Sequence, residues 1–291
     1  MAVSTATAPE LTQEQVQRIL VQTLEAASVL LAAGPRIFDT DGSPVRIPKM
    51  GAAITDPGWT GENELIPERD ETFDEVTSLP STMKSVKVLT RFSNELARQS
   101  VIALDAALRD RLVRDVAAKL DTQLMGAGGD GITTPKGIFG YSGIQTSAVG
   151  GAITLDALLD AWGLALTANV DMSRLRWVMQ PREFVKLRKV KDTQGRYQLQ
   201  PDPTLDGLFR LFGAPVLVTP RVPDTTGGTP TARIGLVDFS QVAVARDLAP
   251  SVKILDQTVG DWDQQAIRVV ARYDAAPLNP QAIVALTGIT V

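Results

Sequence analysis

The chain has 291 residues, 44% of them hydrophobic, and its 29 basic and 33 acidic side chains give a formal net charge of −4. This length suits one large domain or two modest ones with a buried core, and the composition is that of a globular protein rather than a disordered chain. Cysteine and histidine are absent, which excludes disulfides and thiol nucleophiles and removes the commonest general base and metal ligand, so we expect no enzymatic activity, metal or cofactor.

The first segment predicts a helix over residues 11–33. Thr12 and Gln15 fit a capping box, and Gly34-Pro35 ends the helix. Apolar residues recur at helical spacing: Val16, Ile19, Leu20, Leu24, Ala27, Leu30 and Leu31. This helix and the residues up to 44 form an N-terminal segment.

A long hairpin is predicted next. Residues 45–54 and Thr72–Thr77 read as extended arms, and a second strand-like run follows at Met83–Thr90. The tip carries one base, Arg69, and seven acids: Glu62, Glu64, Glu68, Asp70, Glu71, Asp74 and Glu75. Such a hairpin buries little against its own chain, so it is either a solvated loop or an arm laid across a neighbouring subunit.

A long amphipathic helix is predicted over Val101–Met125. Its apolar stripe repeats every four residues: Leu104, Leu108, Leu112, Val116, Leu120 and Leu124. At 1.5 Å per residue this helix is on the order of 37 Å long, which suits a structural scaffold.

The sequence GAGGDG, Gly126–Gly131, has the spacing of a dinucleotide fingerprint. A true fingerprint follows a strand and opens a helix, whereas this one follows a predicted helix and leads into a loop. We therefore read Gly126 as a left-handed helix C-cap rather than as part of a phosphate site.

The second half mixes helices and strands. Thr154 caps a helix over Leu155–Thr167, with Leu158, Leu159, Trp162 and Leu166 expected inward. A strand over Arg176–Met179 and a helix from Pro181 follow. Eight bases and two acids lie between Arg174 and Arg196, a pattern open to nucleic-acid contact, a solvated helix face or a partner for the acidic hairpin.

Most of the remainder predicts strands. These are Ala214–Thr219, Arg233–Asp238, Val242–Arg246, Val252–Leu255, Ala266–Tyr273 and Ala282–Leu286. The absence of regular βαβ alternation indicates an α+β fold.

Taken in this order, the elements resemble the HK97-fold major capsid proteins of tailed bacteriophages. The likeness runs from about Val45 to Gly288 and is carried by the acidic hairpin with Trp59, VKVLTRFSNELARQS, the long helix, GAGGDGITTPKGIF, IGLVDFSQVAVARD and AIRVVARYDAAPLNPQAIVALTG. IGLVDFSQVAVARD looks like the paired strands of the family's axial domain. The resemblance implies an N-terminal arm, an extended E-loop hairpin, a spine helix in a peripheral domain and a mixed α/β axial domain.

The resemblance also implies domain boundaries. These are 1–44 for the arm, 45–92 for the E-loop, 93–150 for the peripheral domain, 151–250 for the axial domain, 251–280 for peripheral return strands and 281–291 for the return into the axial domain. Some members cross-link an E-loop lysine to a neighbour with the help of a buried acid. This chain has no lysine between Ala52 and Thr82, and Val270 and Ala271 stand where that acid would lie, so noncovalent shells are expected.

The function implied is a subunit of an icosahedral shell around phage double-stranded DNA, found in the virion and assembled in the host cytoplasm. Its expected partners are copies of itself in hexamers and pentamers, separate scaffolding and portal proteins, possible decoration proteins and non-specifically contacted DNA. No membrane partner is expected, because the sequence has no run of about 18 apolar residues. Only some 45 residues precede the hairpin, so we expect no built-in scaffolding region.

Residues of the hairpin tip are the expected contacts between subunits: Trp59, Glu62, Glu64, Glu68, Arg69 and Asp70. The candidate basic partners on a neighbour are Arg109, Arg111, Arg114, Arg182, Lys186, Arg188 and Lys189. Two alternatives stay open. One is an encapsulin-type compartment with the same fold and a cargo enzyme, and the other is a nucleotide-binding enzyme using Gly126–Gly131.

Overall fold

The computed structural model describes residues 28–41, 43–50, 59, 61–63, 65, 73–78, 84–95, 104–199, 209–225, 228–255 and 263–291. The helices are α1 (Val29–Ala32), α2 (Leu104–Leu124), α3 (Leu155–Thr167) and α4 (Pro181–Arg188). The strands are β1 (Arg36–Thr40), β2 (Val45–Met50), β3 (Phe73–Ser78), β4 (Ser85–Ser93), β5 (Gln145–Ala148), β6 (Leu175–Met179), β7 (Arg210–Leu211), β8 (Ala214–Val218), β9 (Thr231–Asp238), β10 (Val242–Leu255), β11 (Gln264–Pro277) and β12 (Ile283–Thr290).

The described strands form three sheets. A four-stranded sheet has the order β1-β10-β11-β4, a six-stranded sheet has the order β5-β12-β9-β6-β8-β7, and β2 pairs only with β3. The β2–β3 pair is antiparallel, from Val45 opposite Ser78 to Met50 opposite Phe73. The mixture of helices with largely antiparallel sheets agrees with the predicted α+β class.

The first core lies between α2 and the four-stranded sheet. Leu112, Val116, Leu120 and Leu124 of α2 are all buried, as their spacing predicts. They share one apolar cluster with residues of β4, β10 and β11, such as Phe92, Val244 and Ile267. The 21 residues of α2 correspond to about 31 Å.

A buried carboxylate links α1 to α2. Asp121 accepts hydrogen bonds from the Ser28 hydroxyl and from the backbone N–H groups of Val29 (2.8 Å) and Leu30 (3.3 Å). Burial raises the pKa of Asp121, although these hydrogen bonds oppose the shift. Ser28 has extended backbone (φ −88°, ψ 124°) and caps α1. The predicted continuous helix over 11–33 is therefore wrong at Ser28, and residues 11–27 lie outside the described residues.

A second buried ionic contact joins the residue before β4 to β11. The ammonium of Lys84 lies 2.6 Å from the Asp274 carboxylate, and the two side chains are 4% and 1% exposed. Burial of an ion pair costs desolvation energy, and removal of one partner leaves a buried charge. The pair therefore fixes the entry of β4 against β11.

The second core belongs to the six-stranded sheet and α3. Leu158, Ala161 and Ala165 are buried against strand residues such as Trp177 and Leu236. The inward assignment of Leu159 and Leu166 was wrong, because they are 48% and 56% exposed. The helix turns its smaller alanines toward the sheet. The hydrophobic pattern did not distinguish alanine from leucine, so it predicted the wrong side of the apolar stripe as buried.

Three strand pairings run across the predicted segments. β4 pairs with β11 over nine residues, so it lies in the four-stranded sheet. β9 and β10 lie in different sheets and do not pair with each other. β5 pairs with β12 in the six-stranded sheet. The β4–β11 and β5–β12 pairings join residues far apart in sequence, which local patterns do not encode.

Candidate assembly surface

The tip of the hairpin exposes apolar side chains. Trp59 is fully exposed (103% of the reference area) and Leu65 is 92% exposed, and Glu62 beside them is also exposed. Asn63 has a left-handed backbone (φ 63°), which asparagine tolerates well in a turn. The other predicted contact residues, Glu64, Glu68, Arg69 and Asp70, lie outside the described residues.

Two of the predicted basic partners on α2, Arg111 and Arg114, face solvent. Arg111 donates to Asp115 one turn later, with Nε–O distances of 3.0 and 3.2 Å, and both side chains are more than half exposed. Exposed pairs of this kind contribute roughly 0–1 kcal/mol. Arg114 is exposed as well, and the side chain of Arg109 lies outside the described residues. Arg111 and Arg114 therefore remain accessible to a partner.

The second basic cluster is largely engaged within its own subunit. Arg182 donates to the buried Glu183 (2.9 Å) and to Asp224 (3.1 Å), and the Glu183 hydrogen bond is the main cause that raises the Arg182 pKa. Lys186 contacts Glu183 (3.2 Å) and donates to the Thr290 carbonyl (2.8 Å). These contacts fasten α4 to the end of β12, which weakens the case for Arg182 and Lys186 as partners of the hairpin.

The two remaining residues of that cluster differ. The guanidinium of Arg188 stacks over the rings of Phe184 (5.9 Å) and Phe209 (5.7 Å). Such a cation–π contact also commits the side chain to its own chain. Lys189 follows α4 and is exposed. Within this cluster, Lys189 is thus the candidate most accessible to a second molecule.

An apolar groove lies beside the exposed face of α2. Its volume is about 360 Å³, and it is bounded by β4, α2, the loop at Thr133–Pro135 and Tyr273. Lys87 of β4 and Lys119 of α2 line it and are exposed. The sequence contained a signal for these residues, since lysines interrupt the apolar alternation of β4, but only the packing of β4 against α2 forms the groove.

The glycine-rich loop is held by its own polar groups. The Asp130 carboxylate accepts hydrogen bonds from the Thr133 hydroxyl and from the backbone N–H groups of Ile132 (3.0 Å) and Thr134 (2.8 Å). These hydrogen bonds, that from the Thr133 hydroxyl foremost, lower the Asp130 pKa. The amide of Gln123 donates to the carbonyls of Gly128 and Pro135.

The surroundings of this loop are not those of a dinucleotide fingerprint. The loop follows α2 and leads to a 3₁₀ turn, Ile138–Gly140, so no helix begins at its end. The predicted left-handed cap at Gly126 was wrong, since positive φ occurs instead at Gly129 (122°) and Gly131 (70°). The Gly126 N–H donates a hydrogen bond to the Gln123 carbonyl, three residues earlier. This tighter, 3₁₀-type last turn ends the helix without a left-handed residue.

The described part of the chain lacks two further features. No group of three or more acidic side chains lies close enough there to hold a metal ion. No helix in the described ranges is both long and apolar enough to cross a membrane.

A hairpin, a long helix across a four-stranded sheet and a separate six-stranded sheet together define the HK97-like capsid fold. The family model described as "Phage capsid family" matches residues 10–288. The chain therefore belongs to the phage capsid family. This confirms the predicted family and fold class and the prediction of a capsid protein.

Individual relatives are distant in sequence. The chain is 25% identical over 203 residues to the capsid polyprotein of Pseudomonas phage PAJU2. The matched region is 67% of this chain and 29% of that protein. Among solved structures, the capsid of a native GTA particle computed with C5 symmetry matches with a TM-score of 0.72 at 20% identity, over 91% of this chain and 90% of that one. A structure from Microbacterium phage Oxtober96 matches with a TM-score of 0.69 at 16% identity, over 100% and 99% of the two chains.

Proposed function

We propose that this chain is a major capsid subunit that assembles, with copies of itself in hexamers and pentamers, into a noncovalent icosahedral shell around double-stranded DNA. The observation that carries the proposal is the exposure of Trp59 and Leu65 at an acidic hairpin tip. A fully exposed tryptophan gains nothing from its own fold, whereas burial against another copy removes a large apolar area from water.

The surface that suits this tip is the apolar groove with its basic border. Lys87 and Lys119 line the groove, and Arg111 and Arg114 lie on exposed positions of the same helix. An apolar tip flanked by acids complements an apolar groove lined by Lys87 and Lys119, whose one exposed acid among the described residues, Asp115, is paired with Arg111. Each exposed ion pair contributes little, so the charges set the register of docking and the apolar contacts contribute most of the affinity.

Many such contacts stabilise a closed shell without any single large interface, because each subunit is held by several neighbours at once. The hairpin contains no lysine between Ala52 and Thr82, which supports noncovalent rather than cross-linked shells. The net charge of −4 suits a DNA container, since a strongly basic wall would bind the packed DNA. The proposal includes separate scaffolding and portal proteins and possible decoration proteins as partners. It also places assembly in the host cytoplasm and the finished protein in the virion.

The test reverses the charge of the tip. Glu62, Glu64 and Glu68 are replaced together by lysine, and assembly is followed at low salt by electron microscopy and sedimentation. We expect assembly to fall sharply, with partial recovery when Lys87, Arg111 and Arg114 are replaced by glutamate in the same chain. Normal shells from the triple lysine variant alone would contradict the charge pairing. DNA-filled heads distinguish a phage capsid from an enzyme-loaded encapsulin-type compartment.

A further inference from the structure

An arginine is buried in the six-stranded sheet beside the glycine-rich loop. Arg233 of β9 is 8% exposed, while its neighbours Ala232 and Ile234 face the second core. Because side chains alternate along a strand, Arg233 points to the opposite face. There its guanidinium carbon lies 5.9 Å from the centroid of the Phe139 ring.

This buried cation has no counter-charge among the described residues. Its Nε atom is buried without a hydrogen-bond partner there, and no described carboxylate forms an ion pair with it. Desolvation lowers the Arg233 pKa, yet an arginine stays protonated in proteins. A buried, unpaired charge is costly to the fold, and an anion that binds the guanidinium offsets this cost beyond what the Phe139 ring contributes.

Arg233 lines a pocket that such an anion can enter. The cavity has a volume of about 480 Å³ and lies between the end of α2, the backbone of Gly126–Gly129 and the segment Pro223–Thr225. Thr122, Gln123 and Thr134 complete the lining. The pocket is therefore large enough for a small molecule or for a side chain of another polypeptide.

The charges around the pocket select the kind of anion. Asp224 lines it, but this carboxylate accepts from Arg182 (3.1 Å) and from Gln180 (2.9 Å). The C-terminal end of α2 adds a partial negative charge of about half an electron. Asp224 and the end of α2 both repel a phosphate dianion more strongly than an anion with a single charge. A planar, singly charged carboxylate also matches the fork of a guanidinium, which donates two parallel hydrogen bonds.

We propose that this pocket is a carboxylate-binding site in which the guanidinium of Arg233 holds the carboxylate by paired hydrogen bonds. The carboxylate belongs either to a free solute or to an acidic side chain of a second copy. The pocket is formed within one subunit, so the inference stands whether or not the chain builds shells.

The experiment compares the full-length wild-type subunit with R233M in sodium acetate, sodium chloride and sodium phosphate at equal ionic strength and pH 7. Methionine matches the arginine side chain as far as Nε and leaves no buried charge. R210M is the matched control, because Arg210 is an exposed arginine of the same sheet that does not line the pocket. Melting temperature and saturation transfer to the acetate methyl protons are measured for each.

We expect acetate, relative to chloride, to raise the melting temperature of the wild type and R210M by roughly 2–4 °C at ten times Kd. R233M is expected to lack this rise and the saturation transfer, and to be at least as stable as the wild type in chloride. If R233M fails to fold, R233K serves instead: it keeps the charge, loses the fork, and should weaken acetate binding at least several-fold.

Equal responses of the wild type and R233M, or no saturation transfer from the wild type to acetate, would overturn the site. A phosphate response equal to that of acetate would overturn the carboxylate assignment. Assembled wild-type particles separate the two sources. Persistent saturation transfer from the particles to acetate points to a free solute, and its loss points to a neighbour's side chain in the pocket.

Discussion

At the scale of single residues, Asp121 is a buried acid under two opposing influences. Three hydrogen bonds favour its charged form, and burial disfavours it more strongly, so its pKa is raised above the ordinary value of 3.8. A carboxyl with a raised folded-state pKa stabilises the fold while it is protonated. That contribution is complete below the ordinary pKa and is lost as the pH rises through the folded-state pKa.

The variant D121N tests this sign. Asparagine is neutral at every pH and cannot accept all three hydrogen bonds, so we expect it to be roughly 1–3 kcal/mol less stable than the wild type. The gap between the two proteins should widen as the pH falls from 7 toward 4, because only the wild type takes up a proton. Urea unfolding of free subunits measures this difference in the free energy of unfolding. A difference that narrows on acidification would show that the hydrogen bonds lower the Asp121 pKa more than burial raises it.

At the scale of elements, the loop after α2 depends on close backbone approach. Gly137 has a left-handed backbone (φ 54°), and a Cβ atom there would overlap the carbonyl oxygen of Gly126. The loop must pass this close because Phe139 and Ile138 enter the first core directly afterwards. The glycines of GAGGDGITTPKGIF thus serve chain reversal and packing.

We expect G137A to destabilise the subunit by about 1–3 kcal/mol or more, through backbone strain and steric overlap. The matched control is G163A in α3, where no heavy atom lies within 4 Å of the added Cβ. Alanine has the higher helix propensity, so this control should be neutral or up to about 1 kcal/mol more stable. Thermal unfolding of both variants decides the matter, and similar melting temperatures would contradict the packing argument.

At the scale of the whole molecule, subunit stability and assembly should be separable. Trp59 is fully exposed in the subunit. W59S should therefore change the free energy of unfolding of the subunit by no more than about 0.5 kcal/mol, as surface substitutions generally do, and its melting temperature correspondingly little. The same change should reduce shell yield strongly, because the apolar contact with a neighbour is lost. I132S, at another exposed apolar position (59%), is the control and should assemble more normally. A marked loss of W59S subunit stability would mean that the tip packs on its own body.

Local sequence patterns predict the features that depend on neighbours within a few residues. The i, i+4 stripe located α2, Thr154 marked the start of α3, and Pro181 that of α4, where the structure has them. Within the predicted arms 45–54 and 72–77, the described residues 45–50 and 73–77 lie in the paired strands β2 and β3. The order of elements was enough for the family and the fold class.

Which distant residues meet depends on the folding of the whole chain. The Ser28–Asp121 and Lys84–Asp274 contacts span 93 and 190 residues, and no local pattern announces them. β9 and β10 are separated by three residues yet join different sheets. The buried Arg233 reads as an ordinary surface arginine in the sequence. Helical periodicity is set by short-range sterics and hydrogen bonds, whereas strand pairing and burial of charge depend on long-range packing of the whole chain.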